Sequence, residues 1–161
     1  MGRAFKHLLT PHWLALRPFP ASTLAKVEQA VKASERLHRG EIRFALEGPL
    51  HTAELGLSTR ERARQVFGEL GVWDTEENSG VLIYVQLVDR RIEIVADRGI
   101  AARVEQAEWD AVCRAMERSF KAGDFEAGAL EAIGSVTAIL ARHFPPGPRN
   151  PNELSDKPAV L

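Results

Sequence analysis

Only one cysteine, Cys113, occurs among the 161 residues, so the chain can build neither an internal disulfide nor a zinc site of several thiolates. Neither sign of charge dominates. Twenty-one Lys and Arg stand against 22 Asp and Glu, a formal net charge of -1, and no overall field exists to draw the chain to nucleic acid. The longest unbroken apolar run, Val81 to Val85, falls far short of the ~20 residues of a membrane helix, so no transmembrane segment is expected. Catalytic signatures are missing too. There is no P-loop, G-x-S-x-G or D-x-D, and Ser119 rather than arginine stands at the sixth position after Cys113. His38-Arg39-Gly40 differs from the Arg-His-Gly order of histidine phosphatases and suits a helix terminus, where positive charge is favourable. By themselves the residues name no reaction.

What is present is the material of one domain, with 45% hydrophobic and 27% charged residues. Leu24, Val27, Val31 and Leu37 form one helical stripe over 23–38, with Ser22 as the capping candidate and Gly40 as the stop. Glu41 to Glu47 alternates, with Ile42, Phe44 and Leu46 on one face and Arg43 and Glu47 on the other, the period of a half-buried strand. Ser58 and Glu61 make a capping box for a helix stopping at Gly71. Asn78-Ser79-Gly80 turns into Val81–Leu87, apolar enough for a central strand covered on both faces. Ile92–Ala96 follows as the second arm of a hairpin. With Asp89 and Arg90 as its two loop residues, Gln86 opposes Glu93 and Leu82 opposes Asp97. Trp109, Val112, Cys113, Met116 and Phe120 recur at helical spacing up to Gly123. Asp124 can cap the next helix, whose stripe is Ala129, Ile133, Val136 and Leu140.

The predicted fold is therefore α/β: a small mixed sheet with a parallel strand–helix–strand unit, an antiparallel hairpin and helices covering the sheet, a three-layer sandwich. Residues 1–19 form a basic segment holding Arg3, Lys6 and Arg17 with no acid. Trp13, Leu14, Leu16 and Phe19 are expected to dock on the body, with weak association to an anionic membrane surface as the rival reading. Residues 20–144 are the domain, and 145–161, with five prolines, read as an extended tail. Pro11, His12 and Arg17 interrupt the apolar stretch that an export signal requires, so the expected location is cytoplasmic, peripheral to the membrane.

Three ordered segments resemble the TPM domain family. Ser79-Gly80-Val81-Leu82-Ile83 is similar to its N-G-V-L-I strand opening, and Asp89-Arg90 followed by Ile92 to Gly99 to its D-R-x-x-x-I hairpin. Phe120-Lys121-Ala122-Gly123-Asp124-Phe125 with Gly128 looks like its F-x-x-G-D-F/Y-x-x-G helix corner. The resemblance implies an α/β sandwich and, in some members, binding of calcium or another divalent cation. It also implies an acid phosphatase activity proposed for the family, roles in photosystem repair or receptor modulation, and membrane-protein partners of the LemA-like or TPM-like kind. In this chain the turn reads Glu77-Asn78-Ser79-Gly80, whereas the common form sets an acid directly beside Asn-Gly.

The hairpin sorts the acids into two groups about 23 Å apart. Asp74, Glu76, Glu77, Asn78 and Asp97 gather at one end of the central strand, Asp89 and Glu47 at the other. The first group offers the oxygen ligands that Ca2+ or Mg2+ takes, and Asp74, Asn78 and Asp97 are the candidate metal ligands. A solvated acidic loop is the plainer reading. Two functions follow: an interaction and accessory module that binds a divalent cation without turnover, or a metal-dependent acid phosphatase in which Asp97 and Arg98 serve the phosphate ester. Cys113 fits a core stripe better than a nucleophile.

Overall fold

A computed structural model describes residues 2–161. Its centre is a parallel pair, β1 (Glu41–Glu47) and β2 (Gly80–Gln86), with Ile42 opposite Val81 and Glu47 opposite Gln86. The crossover runs through α4 (Thr59–Glu69), whose capping box closes as the Ser58 and Glu61 spacing predicts, and Gly71 ends the unit at φ 64°. β3 (Arg91–Ala96) pairs antiparallel with β2. The sheet order is β3-β2-β1-β4, where β4 (Ala159–Val160) lies parallel to β1.

The pleat divides the strand residues between two cores. Ile42, Phe44, Leu46, Ile83 and Ile94 face α3 (Ala21–Ser34), α6 (Gln106–Lys121) and α7 (Phe125–His143), while Ala45, Leu82, Tyr84 and Val95 pack with Ala63 and Val66 of α4. This double covering makes every residue of β2 buried. The result is three layers, as the pattern predicts.

The α6–α7 corner shows what the glycine-rich segment does. Gly123 turns the chain at φ 90°, and the Asp124 amide donates to Ser119 O at 2.9 Å. The rings of Phe120 and Phe125 then meet at 5.0 Å between centroids, with Phe19 5.7 Å from Phe120. A β-carbon at Gly128 would lie 2.8 Å from Ser119 Cβ, so the two helices approach at a residue without one.

Several expectations are corrected. The hairpin register lies two residues away: Gln86 faces Arg91 and Leu82 faces Val95. A two-residue loop wants positive φ at its central positions, and only Arg90 adopts it, at 54°. The loop instead spans 87–90, held by Gln86 Oε1, which accepts from the amides of Val88 (2.8 Å) and Asp89 (3.1 Å). A slip of two preserves the faces. Helix α3 starts after Pro20 without a side-chain cap, and Leu37 falls beyond its end, exposed. Asp124 occupies the N-cap position of α7, yet its side chain makes no capping bond.

At the ends of the chain, α1 (Arg3–Leu9) and α2 (His12–Leu16) precede the domain. Phe19 is buried and Leu16 packs on the core, whereas Trp13 and Leu14 stay exposed. The tail folds back along β1: Asn150 Nδ2 donates to Glu35 O and His38 O, the Arg43 guanidinium donates to Ser155 O and Lys157 O, and the Leu161 amide donates to Leu46 O.

Candidate functional site

The rim where β1 and β2 begin and β3 ends holds Asn78 and Asp97 of the predicted residues. Asp97 follows β3, its amide donating to Gly80 O at 2.8 Å, and its Oδ1 accepts from the Arg98 amide at 2.7 Å to cap α5 (Arg98–Ala101). The Gly99 amide donates to Asn78 O at 3.1 Å. A β-carbon at Gly99 would stand 2.5 Å from Glu77 O and 2.6 Å from Asn78 O. Asn78 and Asp97 therefore lie on backbones that touch, although they stand 19 positions apart in the sequence. Asn78 turns the chain at φ 52°, a conformation asparagine tolerates.

Asp74 lies upstream on the exposed loop, and no hydrogen bond joins its carboxylate to Asn78 or Asp97 among the described residues. Glu77 is engaged elsewhere, its carboxylate accepting from Arg39 Nε at 3.1 Å. Asp97 Oδ2 and Ser79 Oγ are buried at the rim without a hydrogen-bond partner among the described residues. An unsatisfied buried oxygen is costly unless something binds it. Among the described residues no three or more His, Cys, Asp or Glu side chains are grouped to hold a metal ion. An ion at the rim would thus draw on Asp97, the Asn78 side chain, Ser79 Oγ, backbone carbonyls and water, with Asp74 reaching it through solvent. Arg98 is exposed and forms no ion pair among the described residues. Beside the rim runs a groove of about 630 Å³ lined by Arg39, Glu76, Glu77, Arg149, Asn150 and Glu153.

The far end of the sheet holds a polar hub that strand alternation does not reveal. Glu47 and Arg62 are each 5% exposed. Arg62 Nη2 donates to Glu47 Oε1 at 2.6 Å, Arg62 Nη1 donates to Glu69 Oε1 at 2.9 Å, and the Tyr84 hydroxyl donates to Glu47. Burial and the Glu47 carboxylate together push the Tyr84 hydroxyl up, so it remains protonated as the donor. The reading of Glu47 on a half-exposed face fails because α4 covers that face and supplies the arginine. Asp89, also at this end, is held by Arg3 (2.8 Å) and His7 (3.1 Å).

Cys113 lies half-buried on the core stripe, and burial pushes its thiol up to about 12, which removes the reactive thiolate. His38 is fully buried, both ring nitrogens lack a side-chain partner, and burial lowers its pKa. Trp109 is buried in the core and Trp73 is exposed, donating to Gly68 O at 3.3 Å.

Comparison with known proteins agrees with this architecture. No curated protein matches the chain. Among solved structures, the NMR structure of the BA42 protein from the psychrophilic bacterium Bizionia argentinensis is similar, with 30% identity and a TM-score of 0.79 over 88% of this chain and 94% of that one. The model of the TPM domain matches residues 18–139, which include the turn, the hairpin and the α6–α7 corner. The chain belongs to the TPM domain family.

Proposed function

We propose that this chain is a non-catalytic accessory module that takes a divalent cation, Ca2+ or Mg2+, at the rim of Asn78 and Asp97 and serves a membrane-protein partner of the LemA-like or TPM-like kind. The observation that supports it is the buried, partnerless Oδ2 of Asp97, set beside the backbone carbonyls of a turn. A hard cation suits such an all-oxygen environment, and it would neutralise the carboxylate while tying two stretches of backbone together. Titration of the isotope-labelled protein with Ca2+ and with Mg2+ tests the reading by NMR. Shifts should localise at 74–80 and 97–99 and vanish in Asp97→Asn. Uniform or absent shifts at millimolar metal would refute it.

A second reading, metal-dependent hydrolysis of phosphate esters, draws on Arg98, a guanidinium exposed beside Asp97 without an ion pair among the described residues. In it Arg98 would stabilise the charge developing on the phosphoryl oxygens, and the metal would supply an activated water. Turnover of a chromogenic phosphate ester that is lost both in chelator and in Asp97→Asn would replace the first reading by this one.

A further inference from the structure

The two N-terminal helices are pinned to the domain by polar residues and by Leu16, and turn Phe5, Leu8, Leu9, Trp13 and Leu14 to solvent. Arg3 Nε donates to Asp89 at 2.8 Å and its Nη1 to Leu55 O at 2.9 Å. The buried His7 ring bridges Asp89 and the Leu50 amide, at 3.1 and 2.9 Å. These residues sit four apart on one face of α1, and Phe5, Leu8 and Leu9 occupy the opposite face at 3.6-residue spacing. Leu8 is 80% exposed, and Trp13 on α2 is 70% exposed. An apolar face presented by a helix that is itself held fast is not a fraying terminus but a surface.

Charge selects the occupant. No acid precedes Glu28 in the sequence, and the charge of Asp89, the acid bonded to α1 among the described residues, is balanced by Arg3, with the His7 ring as a further hydrogen-bond partner. Lys6 and Arg17 are exposed and free of ion pairs among the described residues. Lys6 shares a cleft of about 330 Å³ with Leu9, Leu14 and Arg90 of the hairpin loop, so cations from two elements flank apolar walls. A two-fold contact with a second copy would set these cations against one another. A bilayer with anionic headgroups satisfies both features, because Trp and Leu enter the interface while Lys and Arg meet phosphate.

We propose that α1, α2 and the 87–90 loop form a docking surface for an anionic phospholipid bilayer, with Leu8 and Trp13 inserted and Lys6 and Arg90 at the headgroups. The test is co-sedimentation of the full chain with vesicles of phosphatidylcholine, with or without phosphatidylglycerol. Binding is expected only with phosphatidylglycerol, weakening as salt rises. In a Trp73→Phe background, the emission of Trp13 should shift to the blue on binding, since Trp109 is already buried. The pair Leu8→Ser and Trp13→Ser should abolish binding at unchanged thermal stability, and Lys6→Gln with Arg90→Gln should weaken it by on the order of tenfold. Asp97→Asn, at the opposite end of the sheet, should leave it intact, which separates this proposal from the cation reading. Failure to bind the anionic vesicles at low salt, equal binding to neutral ones, or a solution dimer abolished by the serine pair would overturn it, the last in favour of a second copy.

Discussion

Replacing Glu41 by glutamine is expected to stabilise the protein at alkaline pH and to leave it nearly unchanged in acid. Glu41 opens β1 and is 3% exposed. Burial pushes its carboxyl from the ordinary 4.5 to about 7, and the charges of Glu153 and Asp156 push the same way, against two hydrogen bonds from the tail. Those bonds come from the amides of Glu153 and Leu154, at 3.3 Å each. A carboxyl raised in the folded state holds its proton more tightly there than in the unfolded chain. Its contribution to stability is therefore full below 4.5 and is lost as pH rises through about 7. The displacement corresponds to about 3 kcal/mol. Glutamine keeps one acceptor and turns an amide toward the other backbone N–H, which takes back ~1 kcal/mol. A net gain of about 2 kcal/mol follows for Glu41→Gln on the alkaline side, assisted by relief of Glu35, which burial and Asp156 also push up to about 7. His38, lowered by burial, loses stability toward acid in both proteins and cancels in the difference. Urea unfolding followed by tryptophan emission from about pH 5 to about pH 8 measures that difference. A Glu41→Gln protein destabilised equally at both ends of the range would refute the reasoning.

Three further outcomes rest on other parts of the fold. Arg62→Met strands the buried Glu47 carboxylate beside Tyr84 and should cost roughly 3–5 kcal/mol in urea unfolding, most of it recovered by adding Glu47→Leu. Gly128→Ala gains about 1 kcal/mol of helix propensity. Its methyl would nevertheless meet Ser119 Cβ at 2.8 Å and the Phe120 ring at 3.1 Å, and a net loss of about 1 kcal/mol is expected from calorimetry. Deleting 149–161 uncovers the β1 edge now paired with β4, and light scattering should show aggregation that grows with concentration.

The sheet was legible because its strands obey simple periods: alternation in Glu41–Glu47, a continuous apolar run in Val81–Val85, and a capping box between them. The adjacency of Asn78 and Asp97 was legible for the same reason, since any hairpin of nearly this length returns the chain to the strand's start. The register was not, because it depends on one side-chain oxygen of Gln86 bonding two loop amides. Nothing in local pattern distinguishes that glutamine from a solvent-facing one. Glu47 looked exposed because its partner, Arg62, sits 15 positions away on the crossover helix. The two residues of β4 are too few for any period. At the N-terminus Leu16 and Phe19 dock as expected while Trp13 and Leu14 do not, and on α1 Arg3 and His7 take the inward positions, which hydropathy alone cannot register.

Gly99 carries a consequence for how this domain can diverge. Its φ is negative, so it is not needed for an unusual backbone angle. What it lacks is a β-carbon, whose place is taken by the main-chain oxygens of Glu77 and Asn78. Arg98 beside it faces solvent and is free to drift. Descendants that keep the two segments pressed together should therefore carry an isolated invariant glycine that binds nothing, flanked by variable neighbours, and a lineage with a larger residue there should have moved its turn away.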